Sequence, residues 1–245
     1  MGKSIRRYLA VASFGALLVY LFWLSRPDWT SEMRFWRVVG DGSLILLYLT
    51  LALGPVARFI PKTGVFLPYR RELGVWFGIL AIVHTVIILD GWALWDVSIF
   101  MGYQYIPAID RVVRLESGFG MANILGLLAV LIALPLMVTS ADWASRALGA
   151  GSWKFLHYSA YSIFYMVALH TAYFMYIHFT TSYHRTVPES NWFQIPFAVL
   201  TTIVIALQVG AFLKTLARQR RRMSRRRTGA GIPSMQPRVD IDDGY

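Results

Sequence analysis

The stretch LGVWFGILAIVHTVIIL, residues 73–89, decides the fold class of this chain. At a rise of about 1.5 Å per residue it covers about 25 Å, most of a bilayer's hydrocarbon thickness of about 30 Å. It carries no charge, yet it holds one ionisable ring, His84. Such a ring in hydrocarbon is costly, so it marks a function with a partner by default. A second apolar run, YSIFYMVALHTAYFMYI at residues 161–177, repeats the pattern with His170. A third histidine, His157, stands just ahead of it in WKFLHY, residues 153–158. Neutral imidazole is a common metal and haem ligand.

Working outward from these runs gives six apolar spans, at residues 8–24, 43–60, 73–92, 119–139, 155–179 and 193–216. Mean hydropathy is +0.50, and 56% of the residues are hydrophobic. The expected fold is therefore all-α: a polytopic membrane protein built as a bundle of six transmembrane helices. Residues 1–217 form that bundle, and residues 218–245 form a basic, disordered tail. The first span resembles a signal peptide, with Lys3, Arg6 and Arg7 ahead of an apolar run. It ends in Leu24-Ser25-Arg26-Pro27-Asp28 with no small-residue cleavage site, so it reads as a retained helix.

Charge sets the orientation. Of the 24 Lys and Arg, 18 flank the side that holds both termini, the 2–3 connection and the 4–5 connection. By the positive-inside rule that side is cytoplasmic, and both termini lie there. The implied location is a bacterial-type plasma (inner) membrane. The net charge of +11 splits in two: +6 lies in the chain up to the end of the last span, and +5 from Arg218 onward, where residues 218–227 are mostly arginine. Placed there, the run suits anionic lipid headgroups or an acidic soluble partner better than nucleic acid, or it serves as a topology anchor alone. There is no cysteine, which excludes disulfides, Cys-ligated iron–sulfur clusters and covalently attached haem.

The longest connection, residues 93–118, faces outside and mixes Trp95, Phe100, Tyr103 and Tyr105 with Asp96, Asp110, Arg111, Arg114 and Glu116. It reads as an interfacial segment, with a simple interfacial loop favoured over a short amphipathic helix or a lid as its form. Tryptophans near the span ends form aromatic belts. Gly74 and Gly78 make a small-xxx-small pair in span 3, which permits close helix contact.

His84 and His170 lie roughly 17 Å and 25 Å along two parallel spans, counted from their cytoplasmic ends, and His157 only about 6 Å in. The first two could share a level and grip one iron from opposite sides, while His157 belongs to the cytoplasmic leaflet. His157 and His170 are about 140° from eclipsed on a regular helix. Either that helix is distorted or the two rings face different neighbours. His178 and His184 fall near or beyond the outer end of span 5 and are expected to be solvated, with His178 within reach of a substrate or cofactor edge.

Two further pieces complete the pattern: Arg70-Arg71-Glu72-Leu73-Gly74 followed by His84, and Trp153-Lys154-Phe155-Leu156-His157-Tyr158 followed by His170. Together they resemble the ferric reductase-like transmembrane family over residues 40–216. That family includes the membrane cores of NADPH oxidases and ferric reductases, and the haem-binding membrane subunit of the bacterial periplasmic methionine sulfoxide reductase system. The resemblance implies b-type haem held by His84 and His170. In the oxidase branch span 3 carries a second histidine fourteen positions earlier, but here that position is Arg70. The inner site thus has His157 with no histidine opposite: it could hold a second haem with different ligation or be empty. The resemblance assigns Arg70 and Arg71 to propionate groups.

No phosphate-binding glycine loop or dinucleotide fingerprint is present. The chain stops about 30 residues after the last span, without the flavin and nicotinamide domains that follow in the oxidases. Electrons are therefore expected from a cytoplasmic flavoprotein or membrane quinol, and an extracytoplasmic partner reductase or a metal chelate is the expected acceptor. Two other classes stay open: a non-redox membrane protein that keeps the fold without haem, such as an assembly factor or small transporter, and a quinol-oxidising cytochrome of the b561 type. The latter normally needs four haem histidines on its spans, against three here.

Overall fold

The computed structural model describes residues 2–114, 116–178 and 190–227. Among these, six stretches are long and apolar enough to cross a membrane. The protein is an integral membrane bundle, all-α apart from one small hairpin. The helices are α1 (Gly2–Leu24), α2 (Ser31–Phe59), α3 (Arg70–Gly91), α4 (Val97–Phe100), α5 (Phe119–Val138), α6 (Asp142–His157), α7 (Ser159–Ala172) and α8 (Gln194–Arg227). A 3-10 segment, Pro61–Tyr69, joins α2 to α3, and a π-helical turn, Tyr173–Ile177, extends α7.

Helix α2 is the axis of the bundle. It packs against α1, α3, α7 and α8, while α5 bridges α3 and α7. Its buried face includes Val38, Leu44, Leu47 and Leu51. The Thr30 hydroxyl caps it by accepting from the Met33 amide, and Glu32 meets the positive end of its dipole. Hydroxyls inside the spans find partners within the protein: Thr50 donates to the Leu46 carbonyl and Thr85 to the Ala81 carbonyl of their own helices, while Ser43 donates to the Phe77 carbonyl of α3. In hydrocarbon no water could take that role.

The start of α2 corrects the sequence reading, which began the second span at residue 43. The helix begins twelve residues earlier, at Ser31, and carries Arg37 and Asp41 into the bundle. Burial of Asp41 is compensated by Arg26, at 2.6 Å, with side-chain exposures of only 6% and 1%. Arg26 also donates to Asn191 at 3.3 Å and lies over the Trp29 ring at 4.9 Å.

Residues 93–118 lie as an ordered segment in which no long amphipathic helix forms among the described residues. Its helical parts are α4, one turn capped by Asp96, and a 3-10 turn, Pro107–Ile109. Strands β1 (Tyr103–Ile106) and β2 (Arg111–Arg114) then pair antiparallel, with Tyr103 opposite Arg114 and Tyr105 opposite Val112. Aromatic and β-branched residues favour the extended form, and Pro107 and left-handed Asp110 make the turn. The Tyr105 hydroxyl donates to the Asp110 carboxylate, which raises the Tyr105 pKa above its ordinary value. The segment is anchored to α5 where Asn123 donates to the Phe100 carbonyl at 2.8 Å.

The last helix runs unbroken to Arg227, so residues 218–227 of the tail expected to be disordered are helical. Arginine is a good helix former, and cations near a helix C-terminus are stabilised by its dipole. The remainder of that tail, residues 228–245, lies outside the described residues.

The small-xxx-small pair in α3 serves packing. A Cβ at Gly78 would stand 2.1 Å from the Met137 sulfur on α5, while one at Gly74 would meet Thr50 at 3.5 Å. Gly78→Ala should therefore destabilise the bundle by about 1–3 kcal/mol through overpacking. Gly74→Ala should be nearly silent. Thermal unfolding in detergent checks both, and equal effects at the two positions would refute the packing account.

Candidate functional site

His84 of α3 and His170 of α7 line a single cavity of about 200 Å³ between α2, α3, α5 and α7. The apolar part of its wall includes Leu44, Phe77, Val130 and Val167. Each ring is seated against a glycine of the neighbouring helix. A Cβ at Gly40 on α2 would lie 3.0–3.2 Å from three atoms of the His84 ring. A Cβ at Gly126 on α5 would lie 2.8 Å from His170 Nδ1.

His170 Nδ1 donates to the Ala122 carbonyl at 2.7 Å, one helical turn before Gly126. A carbonyl can only accept, so the Nδ1 proton is fixed there, and the neutral ring keeps Nε2 as a bare lone pair. His84 Nδ1 is buried and has no hydrogen-bond partner among the described residues. A buried orphan nitrogen calls for an explanation, and a coordinated ion is one. The cavity thus offers two imidazoles, one braced by a carbonyl and one with a buried nitrogen left unsatisfied. Among the described residues no cluster of three or more His, Asp or Glu could hold a metal ion unaided.

Charge gathers at the end of the cavity farther from the chain termini. Arg37 lines it with its guanidinium 5.4 Å from the Phe174 ring centroid. Asp41 lines it too and is paired with Arg26. His178, expected to be solvated, is instead largely enclosed: Nδ1 donates to Glu116 at 2.9 Å, and the ring lies against Phe119 and Phe174. The reason is the π-helical turn, which carries it back over the start of α5. His184 lies outside the described residues.

His157 is not part of this cavity. Its ring stacks on Trp153 at 4.1 Å, and Nε2 lies 3.3 Å from the Thr139 hydroxyl at the end of α5. The chain is interrupted at Tyr158 between α6 and α7. That break resolves the angular conflict of a regular helix: both His157 and His170 reach α5, at opposite ends of it. Arg70 opens α3, donates to the Thr50 carbonyl at 3.1 Å and bears electrostatically on His157. Arg71 turns away to pair with Asp142 at 2.5 Å. His84 and His170 are thus brought together, whereas His157, Arg70 and Arg71 lie toward the other end of the bundle.

Gly40, Gly126, Arg37 and Asp41 carry no mark of a site in the sequence, and Glu116 stands out there only as one charge of the outer segment. Arg37 and Asp41 stand four apart, one helical turn, and that spacing was the available signal. No local pattern distinguishes Gly40 or Gly126 from a packing glycine.

The family model described as ferric reductase like transmembrane component matches residues 39–168, more than half of the chain. Magnetosome protein MamZ of Paramagnetospirillum magneticum is 32% identical over 139 residues, covering 55% of this chain. The chain spans only 19% of that protein's length. The protein-methionine-sulfoxide reductase heme-binding subunit MsrQ of Polaromonas naphthalenivorans is 27% identical over 163 residues, 64% of this chain and 68% of that protein. The MsrQ of Herminiimonas arsenicoxydans is also 27% identical, over 69% of this chain and 70% of its own length.

Proposed function

Because the chain belongs to the ferric reductase-like transmembrane family, we propose that it carries electrons across the membrane through one b-type haem held by His84 and His170. The observation that carries this reading is that both imidazoles line one cavity, each seated on a glycine, with His170 braced by the Ala122 carbonyl and His84 Nδ1 buried without a partner among the described residues. Haem held there would supply one-electron exchange, and two imidazole ligands leave no open position for oxygen. The MsrQ relatives are named as heme-binding subunits, which supports the cofactor class. The absence of cysteine makes attachment non-covalent.

The chain's own residues perform the rest. The Ala122 carbonyl holds the His170 proton on Nδ1 and keeps Nε2 free to ligate. Phe77, Leu44 and Val130 keep water from the cavity. Arg37 supplies a positive charge at its far end, where it offsets anionic groups. His157 is engaged by Thr139 and Trp153, so no second haem is assigned to it. Arg70 and Arg71, expected at propionates, lie away from this cavity with partners of their own. The donor is a cytoplasmic flavoprotein or membrane quinol, the acceptor an extracytoplasmic reductase, and the membrane a bacterial inner membrane with both termini inside, following the charge asymmetry.

The test is haem per chain by pyridine haemochromogen, with a reduced-minus-oxidised spectrum of the full-length protein. About one haem per chain, reducible by a flavin reductase or quinol, is expected; a colourless protein from haem-sufficient cells overturns the reading. Gly126→Ala should displace the His170 ring and weaken haem retention by about 10–100-fold, the usual cost of disturbing a ligand's support. Gly151→Ala, where nothing lies within 4 Å of the added Cβ, should leave retention unchanged.

A further inference from the structure

At the end of the bundle where α1 begins and α8 runs out, α2 and α8 flank an open pocket of about 320 Å³, in which Arg218, Gln219 and Arg222 are exposed. It is lined by Arg58, Lys214, Thr215, Arg218, Gln219 and Arg222, four cations and no acid. Lys214, Arg218 and Arg222 recur every four residues and so share one face of α8. Two of the cations are already positioned. Arg58 donates to the Thr215 hydroxyl at 3.1 Å, and Lys214 donates to the Arg58 carbonyl and lies over the Phe59 ring at 5.0 Å. Arg218 and Arg222 make no hydrogen bond or ion pair with the described residues. Like charges gathered on one exposed face repel one another, weakly in water and more strongly near hydrocarbon, so a bound anion is favoured there.

Two observations name the kind of anion. Lys214 is the first charged residue after the uncharged run 195–213, and Arg58 is in the last turn of α2. The cluster therefore starts at the hydrocarbon edge and, from Lys214 to Arg222, extends about 12 Å along the axis through the headgroup layer. Beside it Phe59, Ile60, Phe212 and Leu213 are 43–61% exposed, an apolar surface at the depth of acyl chains. A ligand that satisfies both parts has an anionic head and hydrocarbon tails. We infer that this cavity binds an anionic phospholipid, and that the paired cations, Arg58 with Lys214 and Arg218 with Arg222, suit a headgroup carrying two phosphodiesters. Basic pockets between membrane helices take such headgroups as a class. The inference uses the membrane bundle alone and does not depend on haem.

The test is native mass spectrometry of the full-length protein in detergent, incubated with equal amounts of cardiolipin, phosphatidylglycerol and phosphatidylcholine. Cardiolipin adducts should dominate and should weaken as salt rises. Each cation near an anionic surface contributes about a fivefold effect, so Arg218→Gln/Arg222→Gln should reduce cardiolipin retention by about twenty-five-fold and Arg222→Gln alone by about fivefold. Lys62→Gln, an exposed cation at the same end but outside the cavity, should change nothing. Equal retention of the three lipids overturns the inference, as does full retention in the double variant. Displacement of cardiolipin by millimolar inorganic phosphate also overturns it, since that identifies a site for free anions. Bound haem read in the same samples should be unaffected by these substitutions, which separates failure here from failure of the electron-transfer reading.

Discussion

His84→Ala and His170→Ala are each expected to strip the purified protein of haem, with at least a hundredfold loss of retention. Removal of a carbonyl or other outer support already costs about 10–100-fold, and removal of the ligating ring itself exceeds that. The two substitutions should be equally severe, because each removes one of the two rings that would hold the group; of the other candidate ligands lining the cavity, His178 is engaged by Glu116, which leaves only the thioethers of Met33 and Met175. His157→Ala should leave haem per chain unchanged, since its ring is engaged by Thr139 and Trp153 at the other end of α5. The measurement is haem per chain together with the reduced spectrum. A His157→Ala protein that loses haem while His84→Ala keeps it would move the site to the opposite end of the bundle.

The second large effect is on stability. Asp41→Asn should destabilise the bundle by about 3–5 kcal/mol, the cost of leaving a buried charge without its partner. Arg26 would keep its contacts with Asn191, Trp29 and Phe22 but lose the 2.6 Å ion pair. Arg26→Met should cost a similar amount, because it strands Asp41 in the same apolar surroundings. The double substitution Arg26→Met/Asp41→Leu should recover most of the loss, because a pair of apolar residues of similar volume pays no desolvation. Denaturant or thermal unfolding of all three variants in detergent checks this. Additive losses in the double variant would mean that the two residues do not act as a pair.

The spans, their number and the two histidines at depth were legible in the sequence because each signal is local. An uncharged run of twenty residues has few solutions other than a membrane helix, whatever surrounds it. The motif around Arg70 and Trp153 likewise pointed to the family that the match over residues 39–168 then showed. The start of α2 was not legible. Arg37 and Asp41 look like loop residues until Arg26, from the preceding helix end, is known to neutralise Asp41. The hairpin was missed for a related reason: aromatic residues alternating with charges suit an interfacial helix and a strand equally, and only pairing with Arg111–Arg114 selects the strand.

What this sequence determined by itself is the solvent of its helices and the rings buried in them, since hydrophobicity along the chain is a one-dimensional property. That the Ala122 carbonyl holds the His170 ring, which glycine makes room for each ring, and that His84 and His170 share a cavity while His157 does not were decided by the tertiary structure alone. Those facts depend on the rotation and crossing of helices 30 to 130 residues apart in sequence. Such contacts are set by packing summed over many side chains, and no single residue carries them.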